Sequence, residues 1–180
     1  MLDLYQGLME TSSMDLNVGV TCLDCASGNN ILAGCVDGTV KILDGRLRSQ
    51  RARYQQSVQA VSTNVRKVKM NDNQHLVAVS GGRGEVVTFD TRMTGRACHH
   101  IQANMSSPTF LHWLPNEQSE TLLIGGSTSL QILQPLGDPS YAQYLQPGLG
   151  HGENITTVDV SMSGTYIAAG TDAGNVALFE

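Results

Sequence analysis

Residues 175–180 read Asn-Val-Ala-Leu-Phe-Glu, an alternating apolar stretch that ends in an acid. Similar alternating stretches stand at residues 39–44, 85–90 and 129–134, the last of which ends in Gln134 in place of an acid, and successive copies are 46, 44 and 46 residues apart. A repeat of roughly 40–50 residues is found in β-propeller blades, in kelch repeats and in some helical repeats. The composition around each copy therefore has to decide between these architectures.

Short strands and tight turns surround every copy. In three repeats a glycine turn, at Gly38, Gly84 and Gly174, lies just before the repeated block. Further upstream are a strand of small residues and another strand-like run. These upstream runs are residues 20–23, 65–68, 109–113 and 155–160. We therefore predict three strands in each repeat. We also expect an irregular fourth, outer strand within residues 45–60, 91–103 and 135–148. The fold class is predicted to be all-β, a propeller.

The composition agrees with the all-β class and gives no sign of a membrane protein. Aromatic residues make up 5% of the chain and there are 19 glycines, which favours many short strands over long amphipathic helices. No apolar run approaches the roughly 18 residues of a membrane span, and no basic and apolar leader opens the chain. We expect no membrane association, an intracellular compartment and four reduced cysteines.

The last repeat resembles a WD40 repeat. Gly150-His151, the strand at 155–160 and the closing pair Phe179-Glu180 follow the order from the Gly-His to the Trp-Asp position of that family. Earlier repeats depart from it, since Leu43-Asp44 and Phe89-Asp90 keep only the acid and Leu133-Gln134 keeps neither residue. The resemblance implies structural roles for His151, Asp44 and Asp90, and an incomplete hydrogen-bonded network in every blade.

The repeats also divide the chain. Asp3 lies 41 residues before Asp44, so residues 1–18 are interpreted as the end of a preceding blade. Residues 19–180 then hold four WD40-like repeats, whose third strands end near 44, 90, 134 and 180. We expect these to be an incomplete part of a larger, seven-bladed propeller. A closed four-bladed ring is the alternative.

A more specific resemblance is to the N-terminal propeller of the catalytic, large subunit of the Pan poly(A)-specific deadenylase. It is carried by Gly19–Thr21, Val87–Met93 with its Asp-x-Arg-Met element, Pro108–Pro115, and the closing run from Val158 to Phe179. The resemblance implies a cytoplasmic complex, also found in P-bodies, that shortens mRNA poly(A) tails during mRNA decay. It implies the Pan adaptor subunit and the poly(A) ribonucleoprotein as partners.

No nuclease chemistry is expected in these residues. The family's nuclease uses acidic residues and two divalent metals, beginning with an Asp-x-Glu motif, and no Asp-x-Glu occurs in the chain. We therefore predict a non-catalytic platform without a cofactor, whereas the parent protein would be a poly(A)-specific 3′-exoribonuclease. A generic WD40 scaffold in an unrelated assembly is the alternative. A propeller enzyme with a site in the central channel is a third hypothesis, but the first strands offer no series of acids or histidines.

Positive charge is concentrated in one stretch. Seven of the eleven basic residues lie between Asp44 and Asp72, where no acid occurs. Four arginines of this stretch are the candidate contacts for RNA phosphate or an acidic protein segment. They are Arg46, Arg48, Arg51 and Arg53. The competing interpretation is a solvated outer strand and loop, and only Tyr54 is close enough to stack on a base.

Two cysteine motifs invite a metal or nucleophile hypothesis. Cys22-x-x-Cys25 has zinc-ribbon spacing, but on a strand residues three apart point to opposite faces, so core or near-surface cysteines are favoured. Cys98-His99-His100 is interpreted as a loop or outer strand, because nothing in the sequence supplies the geometry of a catalytic pair. Neither motif predicts a metal site.

Overall fold

The computed structural model describes residues 14–25, 29–46, 54–93, 97–103, 105, 108–115, 121–134, 142–145, 148 and 152–180. Within these ranges the chain forms antiparallel strands grouped into four sheets, and no helix. Each sheet is one blade, and the blades follow one another in chain order. The all-β propeller predicted from the repeats is confirmed.

The strands of the first two blades run as follows. Blade 1 contains β1 (Val20–Cys25), β2 (Asn30–Cys35), β3 (Thr39–Asp44) and β4 (Tyr54–Gln59). Blade 2 contains β5 (Lys67–Met70), β6 (Leu76–Ser80), β7 (Glu85–Asp90) and β8 (Ala97–Gln102). In both blades each strand pairs with the next one along the chain.

The other two blades repeat this order. Blade 3 contains β9 (Phe110–Leu114), β10 (Thr121–Gly125), β11 (Leu130–Leu133) and β12 (Ala142–Leu145). Blade 4 contains β13 (Ile155–Val160), β14 (Ile167–Thr171) and β15 (Val176–Phe179). As far as the described residues go, blade 4 has three strands and β15 is its edge strand.

Glycine shapes the hairpin between the second and third strands. Gly38 has φ of +82° and Gly84 has φ of +76°, a left-handed conformation that glycine adopts without steric cost. A side chain at Gly38 would also collide with the carbonyl oxygens of Val61 and Thr63, which belong to the linker leading into blade 2. The hairpin therefore turns sharply and lets the linker pass close by.

One strand differs from its predicted position. The strand-like run at 65–68 predicts the inner strand of blade 2, but β5 spans Lys67–Met70. Val65 is fully buried in the linker, and its backbone N–H donates to the carbonyl oxygen of Cys35, 3.0 Å away. An apolar residue is thus needed at position 65 because it packs between two blades, and not because it belongs to a strand.

The core consists of three apolar layers, each between two consecutive blades. The first layer joins blades 1 and 2 through residues such as Leu32, Ile42 and Val77. The second lies between blades 2 and 3, and the third between blades 3 and 4. Both faces of blades 2 and 3 are therefore covered, which explains why every residue of β6 and β10 is buried.

The inner strands line up side by side around one axis. β5 packs against β1, β9 against β5, and β13 against β9. Side-chain hydrogen bonds reinforce this row, because Asp24 of β1 accepts from Lys69 Nζ at 2.8 Å and from the Met70 backbone N–H at 2.9 Å. The part of the chain that is described includes no helix long and apolar enough to cross a bilayer.

Candidate partner-binding site

A cleft of about 300 Å³ opens where the inner strands of blades 2, 3 and 4 end. Three consecutive blades contribute to it, each through the last residues of its inner strand and the turn that follows. The lining residues are Lys69, Met70, Asp72, His112, Trp113, Pro115, Val160, Ser161 and Met162. The repeat period brings these residues to one level, since equivalent inner-strand positions recur about 45 residues apart.

The floor of the cleft is apolar and fixed in place. The Trp113 side chain is buried between blades 2 and 3, and its indole Nε1 donates to the carbonyl oxygen of Lys69, 3.1 Å away. Met70 also lines the cleft and is buried in the layer between blades 1 and 2. Because the indole N–H has a partner, the large ring is buried without an unpaired polar group.

The rim carries more negative than positive charge. Lys69 is the cation of the lining, and its ammonium already binds the Asp24 carboxylate. Asp72 is an exposed part of the lining, and Asp159 is exposed on β13 nearby. With Lys69 neutralised by Asp24, the remaining carboxylates favour a cationic partner.

His112 lies half-buried in the wall of the cleft. Burial lowers the pKa of His112 below its ordinary value, and the neighbouring Lys69 charge acts in the same direction. The carboxylates of Asp159, Asp72 and Asp24 oppose this effect only in part. His112 is therefore a neutral imidazole at physiological pH, able both to donate and to accept a hydrogen bond.

Met162 stands at the mouth of the cleft and is fully exposed. It follows β13 directly, in the turn Ser161-Met162-Ser163-Gly164. A thioether on three rotatable bonds adapts its shape to an apolar contact. An exposed methionine above a buried tryptophan gives this cleft the character of a recognition surface for a short protein segment.

The predicted arginine cluster is only partly within the described residues. Arg48, Arg51 and Arg53 lie outside them. Arg46 is exposed, and its Nε and Nη2 donate to both carboxylate oxygens of Asp44, with distances of 3.0 Å to Oδ1 and 2.6 Å to Oδ2. Its fork is thus engaged within the chain, and contact with an anionic partner stays a prediction.

Asp90 repeats the arrangement of Asp44. Arg92 Nε donates to Asp90 Oδ1 at 3.0 Å and Arg92 Nη2 to Asp90 Oδ2 at 2.6 Å. The hydrogen-bonded Arg92 lowers the pKa of Asp90 to about 2. We did not predict these two pairs from the sequence, although the Asp-x-Arg spacing that repeats at the ends of β3 and β7 was a usable signal. His151, the other predicted structural residue, lies outside the described residues.

The two cysteines of the Cys-x-x-Cys motif occupy different environments. Cys22 is half-buried against the layer between blades 1 and 2, and burial raises the pKa of its thiol. Cys25 is exposed. Within the described ranges, no three His, Cys, Asp or Glu side chains are placed to hold a metal ion. On the outer strand β8, His100 Nε2 lies 3.1 Å from Glu85 Oε1.

Comparisons with known proteins agree with the blade architecture. The family model "WD domain, G-beta repeat" matches residues 12–44 and 143–180, which fall in the first and last repeats. No curated protein sequence matches the chain significantly.

Solved structures show the same fold at low sequence identity. The β-propeller domain of Cps50 (Swd1) from Myceliophteria thermophila has a TM-score of 0.76 and 15% identity over 93% of this chain and 53% of that one. The computationally designed Ika4 protein has a TM-score of 0.71 and 19% identity, covering 95% of this chain and 98% of that one. A chain of the mitotic checkpoint complex has a TM-score of 0.71 and 16% identity, covering 88% of this chain and 48% of that one.

The chain thus spans about half the length of two of these solved chains. Its four sheets of antiparallel strands, the matches to the repeat model at both ends, and the structural likeness all point to one assignment. Residues 12–44 and 143–180 match the WD40 repeat model, and the described residues fold as consecutive blades of a β-propeller.

Proposed function

We propose that this chain is a non-catalytic docking platform whose cleft at the ends of β5, β9 and β13 binds a short segment of a partner protein. The observation that carries the proposal is the combination of a buried Trp113 floor, an exposed Met162 at the mouth and unneutralised carboxylates on the rim. WD40 propellers generally bind partner proteins and do not act as catalysts.

The chemistry of the partner segment follows from the cleft. An apolar side chain would rest on Trp113 and against Met162, and flanking basic residues would face Asp72 and Asp159. Lys69 does not repel them strongly, because its charge is paired with Asp24 at 2.8 Å. Neutral His112 would provide a hydrogen bond to the backbone of the segment.

The assembly we propose is the Pan poly(A)-specific deadenylase. Support comes from the resemblance of Val87–Met93, Pro108–Pro115 and the run from Val158 onward to the propeller of its large subunit. The partners would then be the Pan adaptor subunit and the poly(A) ribonucleoprotein, in the cytoplasm and in P-bodies. Hydrolysis of poly(A) would belong to a nuclease elsewhere in the parent protein, and the segment itself needs no cofactor. The rival proposal is a WD40 scaffold in an unrelated assembly.

Direct contact with RNA phosphate is the weaker form of this proposal. Among the described residues of the arginine stretch, Arg46 already donates hydrogen bonds from Nε and Nη2 to the Asp44 carboxylate. An anion would have to compete with that carboxylate for the same N–H groups. Arg46 therefore adds little support for phosphate contact, and the proposal rests on the cleft.

Binding of the purified Pan adaptor to the immobilised chain, with and without RNase, tests this proposal. We expect RNase-resistant binding that falls at least about tenfold in Met162→Lys, which removes an apolar contact and adds a charge of the same sign as the partner's. Met93→Lys is the matched control, since Met93 is also exposed but lies after β7, away from the cleft.

Three other outcomes would count against parts of the proposal. Binding that RNase abolishes would assign the interaction to RNA. Equal binding by Met162→Lys and the wild-type chain would exclude the cleft as the docking site. No binding of the adaptor at any concentration tested would leave the generic scaffold as the better assignment.

A further inference from the structure

The two terminal blades each leave one sheet face uncovered. We call the face that a blade turns toward the next blade along the chain its forward face, and the opposite one its backward face. On the forward face of blade 4, Val176 is 75% exposed and Leu178 is 67% exposed. On the backward face of blade 1, Leu23 is 64% exposed and Cys25 is also exposed.

The forward face of blade 4 has the pattern of an interface. In blade 1 the same two positions of the third strand are Val40 and Ile42, which are 0% and 4% exposed because blade 2 covers them. In blade 3 they are Leu130 and Ile132, which pack against blade 4. The repeat thus places apolar residues at these positions in order to bury them, and in blade 4 nothing among the described residues does so.

The backward face of blade 1 is the matching half. Leu23 and Cys25 hold the inner-strand positions that are filled in blade 2 by Val68 and Met70, both buried against blade 1. In blade 3 these positions belong to Leu111 and Trp113, both buried against blade 2. Within this chain every interblade contact joins a forward face to a backward face.

The hairpin glycines show the same difference between internal and terminal blades. A Cβ at Gly38 or Gly84 would collide with the backbone of the linker that leads to the next blade. Gly174 has the same left-handed conformation, with φ of +86°, but a Cβ there meets nothing within 4 Å. Among the described residues, nothing therefore covers either the side chains or the hairpin on this side of blade 4.

We propose that the forward face of blade 4 packs against the backward face of blade 1 of a second copy of this chain. Two copies would make two such contacts and close a ring, since each supplies one forward and one backward face. The span of the chain, about half of a solved propeller domain, fits two copies per ring. Pairing of two forward faces does not fit, because no contact between blades among the described residues has that form.

Light scattering on the 180-residue chain tests the proposal directly. We expect a mass of about twice 19.3 kDa at micromolar concentration, and a monomer for both Leu178→Asp and Leu23→Asp. Met93→Asp is the control, because Met93 is 64% exposed but lies on neither terminal face, and it should remain dimeric. Far-UV circular dichroism verifies that each variant is folded.

The two monomeric variants can also be mixed. A pair of Leu178→Asp and Leu23→Asp retains one intact forward face and one intact backward face, so a 1:1 dimer should return with weaker affinity. A dimer that Leu178→Asp disrupts but Leu23→Asp does not would instead indicate two forward faces in contact and overturn the proposal. A wild-type monomer at all concentrations would overturn it too, and would leave the faces to blades of another chain or of a longer one.

Disulfide cross-linking tests which residues of the two copies lie close together. In the contact between blades 1 and 2, the Asp24 carboxylate lies 2.9 Å from the backbone N–H of Met70. The equivalent residues of the proposed contact are Asp159 in one copy and Cys25 in the other. Mild oxidation of Asp159→Cys should give a disulfide-linked dimer through Cys25, which Cys25→Ser should abolish. Failure to form this dimer, or a bond through another cysteine, would refute the head-to-tail arrangement.

Discussion

The indole Nε1 of Trp113 donates a hydrogen bond to the backbone carbonyl oxygen of Lys69 across 3.1 Å, and so ties blade 3 to blade 2 beneath the candidate cleft. The donor is a side chain of β9 and the acceptor is a backbone group of β5. Sheet pairing leaves a backbone carbonyl at the inner rim free to accept it. This single contact links the stability of an interblade layer to the shape of the partner-binding cleft.

Shortening Trp113 should therefore weaken the junction between blades 2 and 3. We expect Trp113→Phe to lower the free energy of unfolding by about 1–2 kcal/mol through the lost hydrogen bond and volume. Trp113→Ala should cost about 3–5 kcal/mol because a cavity remains in a packed layer. Urea unfolding followed by far-UV circular dichroism measures both, and equal stability of Trp113→Phe and wild type would show that the hydrogen bond contributes nothing.

Substitutions at two hairpin glycines distinguish the cost of backbone strain from the cost of steric crowding. Gly38→Ala should destabilise the chain by roughly 2–4 kcal/mol for two reasons. The new methyl group would lie 2.7 Å from the carbonyl oxygen of Thr63, and alanine would have to adopt a left-handed backbone conformation. Gly174→Ala should cost only about 1 kcal/mol, the cost of the conformation alone. Thermal melting of both variants compares them, and similar losses would mean that the linker yields to the methyl group.

The Asp90–Arg92 pair predicts a specific pH dependence. The pKa of Asp90 is lowered to about 2 in the folded state, against 3.8 for an ordinary aspartate. The carboxylate therefore stabilises the fold above pH 4, and this stabilisation is lost as the pH falls from about 4 toward 2. Asp90→Asn should unfold at a lower urea concentration than wild type at pH 7.

The cost of Asp90→Asn should stay at or below about 1 kcal/mol, since the arginine is exposed. The difference between the two proteins should narrow as the pH approaches 2, where the wild-type carboxyl is itself becoming protonated. Asp72→Asn, an exposed acid on the cleft rim, is the control. A gap between Asp90→Asn and wild type that is constant from pH 7 to pH 2 would argue against a role for the charge.

Thr88 offers a stabilising substitution. Its hydroxyl oxygen is buried and has no hydrogen-bond partner among the described residues. The equivalent position in blade 1 is the apolar Ile42. Thr88→Val should therefore raise the free energy of unfolding by about 1 kcal/mol, by removing a buried polar group that gains nothing.

Thr39→Val is the comparison for this change. The Thr39 hydroxyl donates to Asp37 Oδ1 at 2.6 Å, so the same substitution there should destabilise the chain. Chemical denaturation of both variants gives the two signs. A loss of stability in Thr88→Val would mean that its hydroxyl has a partner after all.

The repeat pattern was sufficient to predict the blades but not the contacts between them. The block at 85–90 coincides with β7, because alternation in a strand is a local property of the sequence. The sequence predicts the inner strand of blade 2 two residues too early, because buried Val65 in the linker is as apolar as any strand residue. Local hydrophobicity cannot tell burial between blades from burial within one.

The candidate cleft was missed for a related reason. Its walls come from the ends of β5, β9 and β13, which the sequence separates by some 45 residues at each step. Aligning the repeats places Met70, Trp113 and Val160 at one level, but not the depth of the cavity or the exposure of Met162. The Asp-x-Arg pairs depend similarly on turn geometry, since Arg46 must fold back onto a carboxylate two residues earlier.

The three separate apolar layers have a consequence for how the molecule unfolds. Each blade is stabilised only by its immediate neighbours, so the total stability is a sum over successive junctions and not a property of one central core. Blades 1 and 4 have one junction each, whereas blades 2 and 3 have two. In the monomeric chain, amide hydrogen exchange should then be fastest in the outermost blades and slowest in β6 and β10, and opening should proceed inward from the terminal blades. Any molecule that covers a terminal blade would suppress this opening along the whole array.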